Sequence, residues 1–122
     1  MPEDKKIVCI FEDNLDIQLL LKIFFVKRGL RPIIYGDGVD AVAIVRKHNP
    51  ALILMDIIMP GKDGIEACKE LRDSGVSTPI VILTSKAFAD DKERGLSAGA
   101  NAYLYKPFNP AELDATVRPL LG

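Results

Sequence analysis

The chain has 122 residues, 48% of them apolar, with 16 basic against 17 acidic side chains and a formal net charge of −1. That length fits one domain, 1–122, with enough apolar material for a full core. The balanced charge without a Lys/Arg run gives no reason to expect direct nucleic-acid contact, no apolar run could cross a membrane, and the start lacks a secretion signal, so a cytoplasmic protein is expected.

Lys6–Phe11 is a β-rich apolar run and reads as the first strand. Asn14 is a good N-cap for a helix in which Ile17, Leu20, Leu21, Phe24 and Phe25 recur at helical spacing. Gly29 stops that helix. Pro32–Tyr35 is a short second strand, suited to a sheet edge because proline cannot donate to a ladder. Gly36, Asp37 and Gly38 turn the chain into a second helix over Val39, Val42, Ala43, Ile44 and Val45, which ends before Pro50. Ala51–Met55 is apolar at every position, the mark of a third strand covered on both faces. Ile57–Asp63 is a loop by composition. A third helix covers Ile65–Arg72 and ends at Ser74 and Gly75; Pro79–Leu83 is a fourth buried strand. Asp90 caps a weak fourth helix that ends in Ser-Ala-Gly-Ala, and Ala102–Tyr105 is the fifth strand. Asn109, Pro110 and Glu112 stand at the cap, first and third positions of a fifth helix, whose reach Pro119 limits.

Five strand–helix alternations with short connections predict an α/β domain with a parallel sheet between two helix layers. Cys9 and Cys68 fall inside strand and helix patterns and read as reduced thiols packed as small hydrophobes. His48, at the polar end of a helix, reads as a surface residue.

Four of the apolar runs end on polar residues of different kinds: Glu12 with Asp13, then Asp56, Thr84 and Lys106, the last followed by Pro107. In a parallel sheet these ends share one edge, where ligands bind at the point of strand-order reversal. Singly each is ordinary. Acids after strands form turns or favour helix N-termini, threonine suits a strand, and a lysine at a strand end is commonly solvated. Together they make a chemical proposal. Crowded carboxylates raise one another's pKa unless a cation joins them. A hard, oxygen-rich site with few protein ligands suits Mg2+, which keeps several waters and accepts phosphate oxygens. Asp56 is the natural nucleophile, able to form an aspartyl phosphate, while a lysine and a hydroxyl hold the other phosphoryl oxygens.

At these residues the chain resembles the receiver domain of two-component response regulators, of the chemotaxis-receiver kind. The motifs are Phe-Glu-Asp-Asn at 11–14, Leu-Met-Asp-Ile-Ile-Met-Pro-Gly-Lys-Asp-Gly at 54–64, Leu-Thr-Ser at 83–85, Ala-Gly-Ala at 98–100 and Tyr-Leu-Tyr-Lys-Pro-Phe at 103–108. They span essentially the whole chain and are specific in combination. The resemblance implies a flavodoxin-like three-layer sandwich with strand order 2-1-3-4-5. It implies that Asp56 accepts a phosphoryl group from a sensor histidine kinase or histidine phosphotransfer protein. Glu12, Asp13, Asp56 and the backbone carbonyl of Ile58 would bind Mg2+; Thr84 and Lys106 would contact the phosphoryl oxygens. Tyr103 would be the aromatic switch that turns inward as Thr84 moves, and the Lys106–Pro107 bond would be cis. The fourth helix, fifth strand and fifth helix would form the output face for an effector domain, a downstream protein or a second copy; Phe88, Leu96, Tyr103 and Tyr105 lie near it. Such a chain is a signalling receiver, not an enzyme, catalysing only its own phosphorylation and slow dephosphorylation.

Two positions depart from a simple match. Glu12 stands where aspartate is also common. Ile58 and Lys86, two residues beyond Asp56 and Thr84, occupy positions that help set the phosphoryl lifetime in this family. Ile58 cannot orient a water, so slow self-dephosphorylation is expected. An aspartate-nucleophile phosphatase would need a second acid where Ile58 stands. A dinucleotide-binding domain would need glycines where Glu12, Asp13 and Asn14 stand. A phosphorylation-independent binding module with the same fold is the remaining alternative, and the intact set of polar strand ends speaks against it.

Overall fold

The computed structural model of the chain describes residues 5–85 and 90–121. Lys86 and Phe88, singled out above, lie outside them. Strand and helix alternate as expected: β1 (Ile7–Phe11), α1 (Leu15–Lys27), β2 (Arg31–Tyr35), α2 (Ala41–His48), β3 (Leu52–Asp56), α3 (Gly64–Asp73), β4 (Ile80–Ser85), α4 (Asp90–Ser97), β5 (Ala102–Lys106) and α5 (Pro110–Leu121). All pairings are parallel and the sheet order is β2-β1-β3-β4-β5. Pro32 thus lies on an edge strand, where its missing N–H costs no ladder bond.

Period-two alternation divides the core into two faces. Val8, Ile10, Leu52, Leu54, Val81, Leu83 and Leu104 pack under α1 and α5, against Leu21, Phe25, Leu113 and Val117. Cys9, Phe11, Ile53, Met55 and Ile80 pack under α2 and α3, and Ile82 joins Ile57 and Ile65 in a smaller cluster beside Tyr103. β3 is buried at all five positions, as its unbroken apolar run requires.

The helix boundaries follow local chemistry. Asn14 Oδ1 accepts from the Ile17 N–H, capping α1. Gly29, at φ +78, ends it, and the Leu30 N–H reaches back to the Phe25 carbonyl. Asn109 and Glu112 exchange side-chain bonds with each other's backbone N–H at 2.8 and 3.1 Å, a capping box that starts α5. Three expectations shift. Val39 is half-exposed in the turn before α2, which begins at Ala41 and ends at the left-handed Asn49. Asp90 is the first residue of α4 and not its cap. Pro119 sits inside α5, which runs on to Leu121.

Two polar side chains tie elements together. Arg72, at the end of α3, donates to the carbonyls of Gly99, Val76 and Thr78 and to Asn101 Oδ1, all at 2.8–2.9 Å. It therefore fixes the entry to β4 and the turn into β5. Arg28 lies 3.6 Å over the Phe24 ring and pairs with Asp114, joining α1 to α5. His48 is half-buried, and its Nε2 lies 3.3 Å from the Tyr35 hydroxyl, so it is a packed partner of β2 and not a free surface residue.

Both cysteines are buried and unpaired with each other, as expected. Burial pushes the Cys9 thiol up to about 11. The fold thus prefers the neutral thiol, and this contribution to stability is complete below about pH 9 and lost as pH rises towards 11. Two units correspond to about 3 kcal/mol. Urea unfolding from pH 8 to 10.5 should show a steeper loss for the wild type than for Cys9→Ala; parallel curves would contradict this.

Candidate functional site

The sheet carries its polar residues to one edge because the strands end there in register. Met55 lies beside Phe11, Asp56 beside Leu83, and Ser85 beside Lys106. Asp56, Thr84 and Lys106 are still strand residues, and Glu12 is held to the edge by its N–H to the Tyr35 carbonyl at 3.0 Å. Strand and not loop geometry therefore positions them. They share a cleft of about 360 Å³ with Asp13, Asn14, Ile17, Ile57, Ile58, Leu83 and Ser85. A larger groove of about 630 Å³ between α3 and α4, lined by Ile65, Lys69, Glu93 and Arg94, lies away from the acids.

At the centre Lys106 Nζ bridges Glu12 Oε1 at 2.8 Å and Asp56 Oδ2 at 2.9 Å. Glu12 is fully buried and Asp56 is 5% exposed. Glu12 Oε2 accepts from the Asn14 N–H at 2.9 Å, and Gln18 Nε2 holds the Glu12 backbone carbonyl at 2.5 Å. Oε1, in contrast, lacks a directed hydrogen bond and meets the ammonium only as a charge. Burial pushes the Glu12 carboxyl above its ordinary range, and the Lys106 and Asn14 contacts only partly offset this. For Lys106, burial acts downward, yet its close contacts with the two carboxylates outweigh it and the ammonium is held above its usual range. The lysine is thus a fixed cation across neutral pH.

Glu12, Asp13 and Asp56 each offer a carboxylate oxygen, and the three lie within 4.8 Å of one another. Among the described residues three carboxylates meet one ammonium here, and Glu12 Oε1 faces that ammonium without directed hydrogen-bond geometry. An all-oxygen set of this kind fits a hard divalent cation such as Mg2+.

Ile58 lines the cleft with its side chain 61% exposed and offers no polar side-chain atom; its backbone N–H donates to Asp56 Oδ1 at 3.3 Å. The buried Thr84 hydroxyl makes one long contact, 3.5 Å, to the Ser85 carbonyl. By strand alternation Glu12, Asp56 and Lys106 continue the α1/α5 face, whereas Thr84 continues Ile80 and Ile82 on the other. Tyr103 belongs to that second face. It is not in the cleft; it packs half-buried beside Ile57, Ile65 and Ile82 and meets Tyr105 edge-on at 5.2 Å. Leu96 is 38% exposed on α4. The Lys106–Pro107 peptide is cis, as expected.

Two supporting residues escaped the sequence reading. Gln18 was hidden because a polar residue on an exposed helix face looks ordinary. Gly64 is the other. A Cβ on it would lie 2.0 Å from the Asp56 carbonyl oxygen, and its N–H donates to the Ile57 carbonyl at 2.9 Å. The Asp-Gly pair at 63–64 signalled a turn but not this close approach.

A family model described as response regulator receiver domain matches residues 8–118. The chain is 41% identical over 115 residues to the DNA-binding response regulator MtrA of Mycobacterium tuberculosis, covering 93% of this chain and 50% of that protein. It is 38% identical over 118 residues to the alkaline phosphatase synthesis transcriptional regulatory protein PhoP of Bacillus subtilis, covering 97% and 49%. It therefore spans about half the length of these curated relatives. Among solved structures, it is similar to the receiver domain of a sensor histidine kinase from Pseudomonas aeruginosa, which has a magnesium ion coordinated in its active-site cleft. That match has a TM-score of 0.82 and 36% identity over 95% of this chain and 94% of the other.

Proposed function

The chain belongs to the response regulator receiver domain family, and on that premise we propose that Asp56 takes a phosphoryl group from a phosphohistidine donor and that its charge switches the α4–β5–α5 surface. The observation that carries this reading is the Lys106 ammonium paired with buried Asp56 and Glu12 in a cleft where three carboxylates meet.

In this reading an Asp56 carboxylate oxygen attacks phosphorus, the P–N bond to the donor imidazole breaks, and its electron pair returns to that nitrogen. Bound Mg2+, held by Glu12, Asp13, Asp56 and the Ile58 carbonyl, would neutralise charge on the transferring group. Lys106 stays with Asp56 and takes a phosphoryl oxygen. The Thr84 hydroxyl, whose one contact among the described residues is long, would donate to another. Tyr103 lies on the same side of the sheet as Thr84, which supports a switch role for it. The domain acts as a switch whose only chemistry is its own phosphorylation and its reversal.

An exposed apolar stripe on α1 supports a donor surface there. Leu15, Leu19, Ile23 and Val26 are 76, 57, 46 and 51% exposed and form one stripe along α1. The stripe begins beside Asp13 and Asn14 at the cleft, and Ile17 of the same helix lines it. A helical partner seated there brings its histidine to Asp56. Histidine kinases and histidine phosphotransfer proteins are the donor class this implies. No helix among the described residues is long and apolar enough to cross a membrane.

Incubation with Mg2+ and acetyl phosphate should give one acid-stable, base-labile acyl phosphate, absent in Asp56→Asn. Leu19→Glu should keep that labelling and lose transfer from a phosphohistidine donor. No labelling of the wild type would favour the phosphorylation-independent module.

Ile58 bears on lifetime. It leaves the cleft wall without a polar side-chain atom at this position, so no side chain there orients water. Ile58→Asn should hasten loss of phosphate about tenfold, below the roughly 10²–10⁴-fold of full general-base assistance, because an asparagine orients a water but takes no proton. An equal or slower rate would sink the idea.

A further inference from the structure

Gly95 brings α4 unusually close to the sheet. A Cβ there would lie 2.0 Å from Ile82 Cδ1. Ile82 is the register partner of Tyr103 on β5. Lys92 lies three residues before Gly95, on the same face of α4. The close approach therefore sets Lys92 directly on Tyr103, with its ammonium 4.2 Å from the ring centroid. Bonding to the Tyr103 side chain pushes the Lys92 ammonium up, with burial acting against it. The ring is held on three sides: by Lys92, by Tyr105 edge-on at 5.2 Å, and by the Ile57, Ile65 and Ile82 cluster.

We propose that Lys92 is a positioning residue, a clamp that holds Tyr103 in the place described above and so sets how readily the Asp56 cleft fills. The inference rests on the phosphoacceptor reading and adds to it a residue that touches neither phosphoryl group nor metal. The physics is a population balance. A contact made in only one of two states biases the equilibrium by its own free energy and lowers the apparent affinity of any ligand that prefers the other state. Tyr103 makes the Lys92 contact in the state described here. Moving the ring breaks that contact, so filling the cleft must overcome it. Gly95 favours this approach, because a side chain there would meet Ile82 Cδ1 and either that tip or the helix would have to move.

The test is a titration of the full chain with beryllofluoride and Mg2+, followed by calorimetry, for wild type, Lys92→Ala and Lys92→Arg. Lys92→Ala should bind about two- to fivefold more tightly, the range that a half-exposed cation–π contact allows. Lys92→Arg, which keeps a cation over the ring, should match the wild type. In a Tyr103→Ala background, Lys92→Ala should change nothing, which a general loosening of α4 would not produce. Unchanged or weaker binding by Lys92→Ala overturns the clamp. The Tyr103 ring resonances of the ligand-free proteins give a second reading, and they should shift in Lys92→Ala and not in Lys92→Arg. A wild type blind to beryllofluoride overturns the phosphoacceptor reading instead, and the ring resonances then decide the clamp alone.

Discussion

Lys106→Met should cost about 3 kcal/mol of stability at pH 7 without Mg2+, and clearly less at pH 4.5. The reason lies in Glu12. Its carboxylate is fully buried, and among the described residues Lys106 is the cation within contact of its Oε1. Removing one partner of a buried pair strands the other charge, typically at about 3–5 kcal/mol. Methionine keeps the aliphatic stem, so the loss reports charge and not packing. The lower end of the range is expected because Glu12 can escape by taking a proton, and burial already raises its pKa. A folded pKa raised above the unfolded one gives stability that is complete below the unfolded value and lost as pH rises. The deficit of the variant should therefore open between about pH 4.5 and 7. Mg2+ should restore part of it at pH 7 by supplying the missing positive charge. Urea unfolding at both pH values, with and without Mg2+, checks this; a deficit that ignores both would falsify the account.

Gly64→Ala should cost about 3 kcal/mol and abolish acyl-phosphate formation. The added methyl would meet the Asp56 carbonyl oxygen at 2.0 Å and the Asp56 carbonyl carbon at 2.8 Å. Both are backbone atoms of a fully buried strand, so neither can swing aside as a side-chain tip would. Overpacking a rigid site costs about 1–3 kcal/mol, and the backbone contact places this case at the top of that range. The strain falls on the residue proposed as nucleophile, so activity should fail even where the fold survives. Thermal unfolding and acetyl phosphate labelling read the two effects separately. Gly75→Ala is a useful contrast. No atom lies within 4 Å of its would-be Cβ, so only its positive φ of 88° opposes the change, and labelling should persist.

The two predictions show how differently the residues around Asp56 reveal themselves. Lys106 could be read in advance because it closes an apolar run and precedes a proline, so the strand pattern alone carried it to the edge. Gly64 could not, because a glycine in an Asp-Gly turn has many ordinary uses. Only the packing of α3 against the end of β3 shows that a side chain is forbidden there. His48 makes the same point on a smaller scale. A histidine in a polar last turn looked solvated, and a tyrosine from the neighbouring strand half-buried it.

Local chemistry wrote the order of strands and helices, the two-sided burial of β3, the caps at Asn14 and Asn109 and the gathering of acids, hydroxyl and lysine at one edge. Periodicity and capping act within a few residues, so one chain suffices to read them. What only the tertiary structure decided concerns distances between residues far apart in sequence. Lys106 stands between Glu12 and Asp56 and spans both, leaving Glu12 Oε1 without a directed bond. Thr84 and Tyr103 share the opposite side of the sheet from Asp56. Lys92 rests on Tyr103 because Gly95 lets a helix settle on Ile82. Such contacts depend on how whole elements pack, and no local pattern encodes that separation.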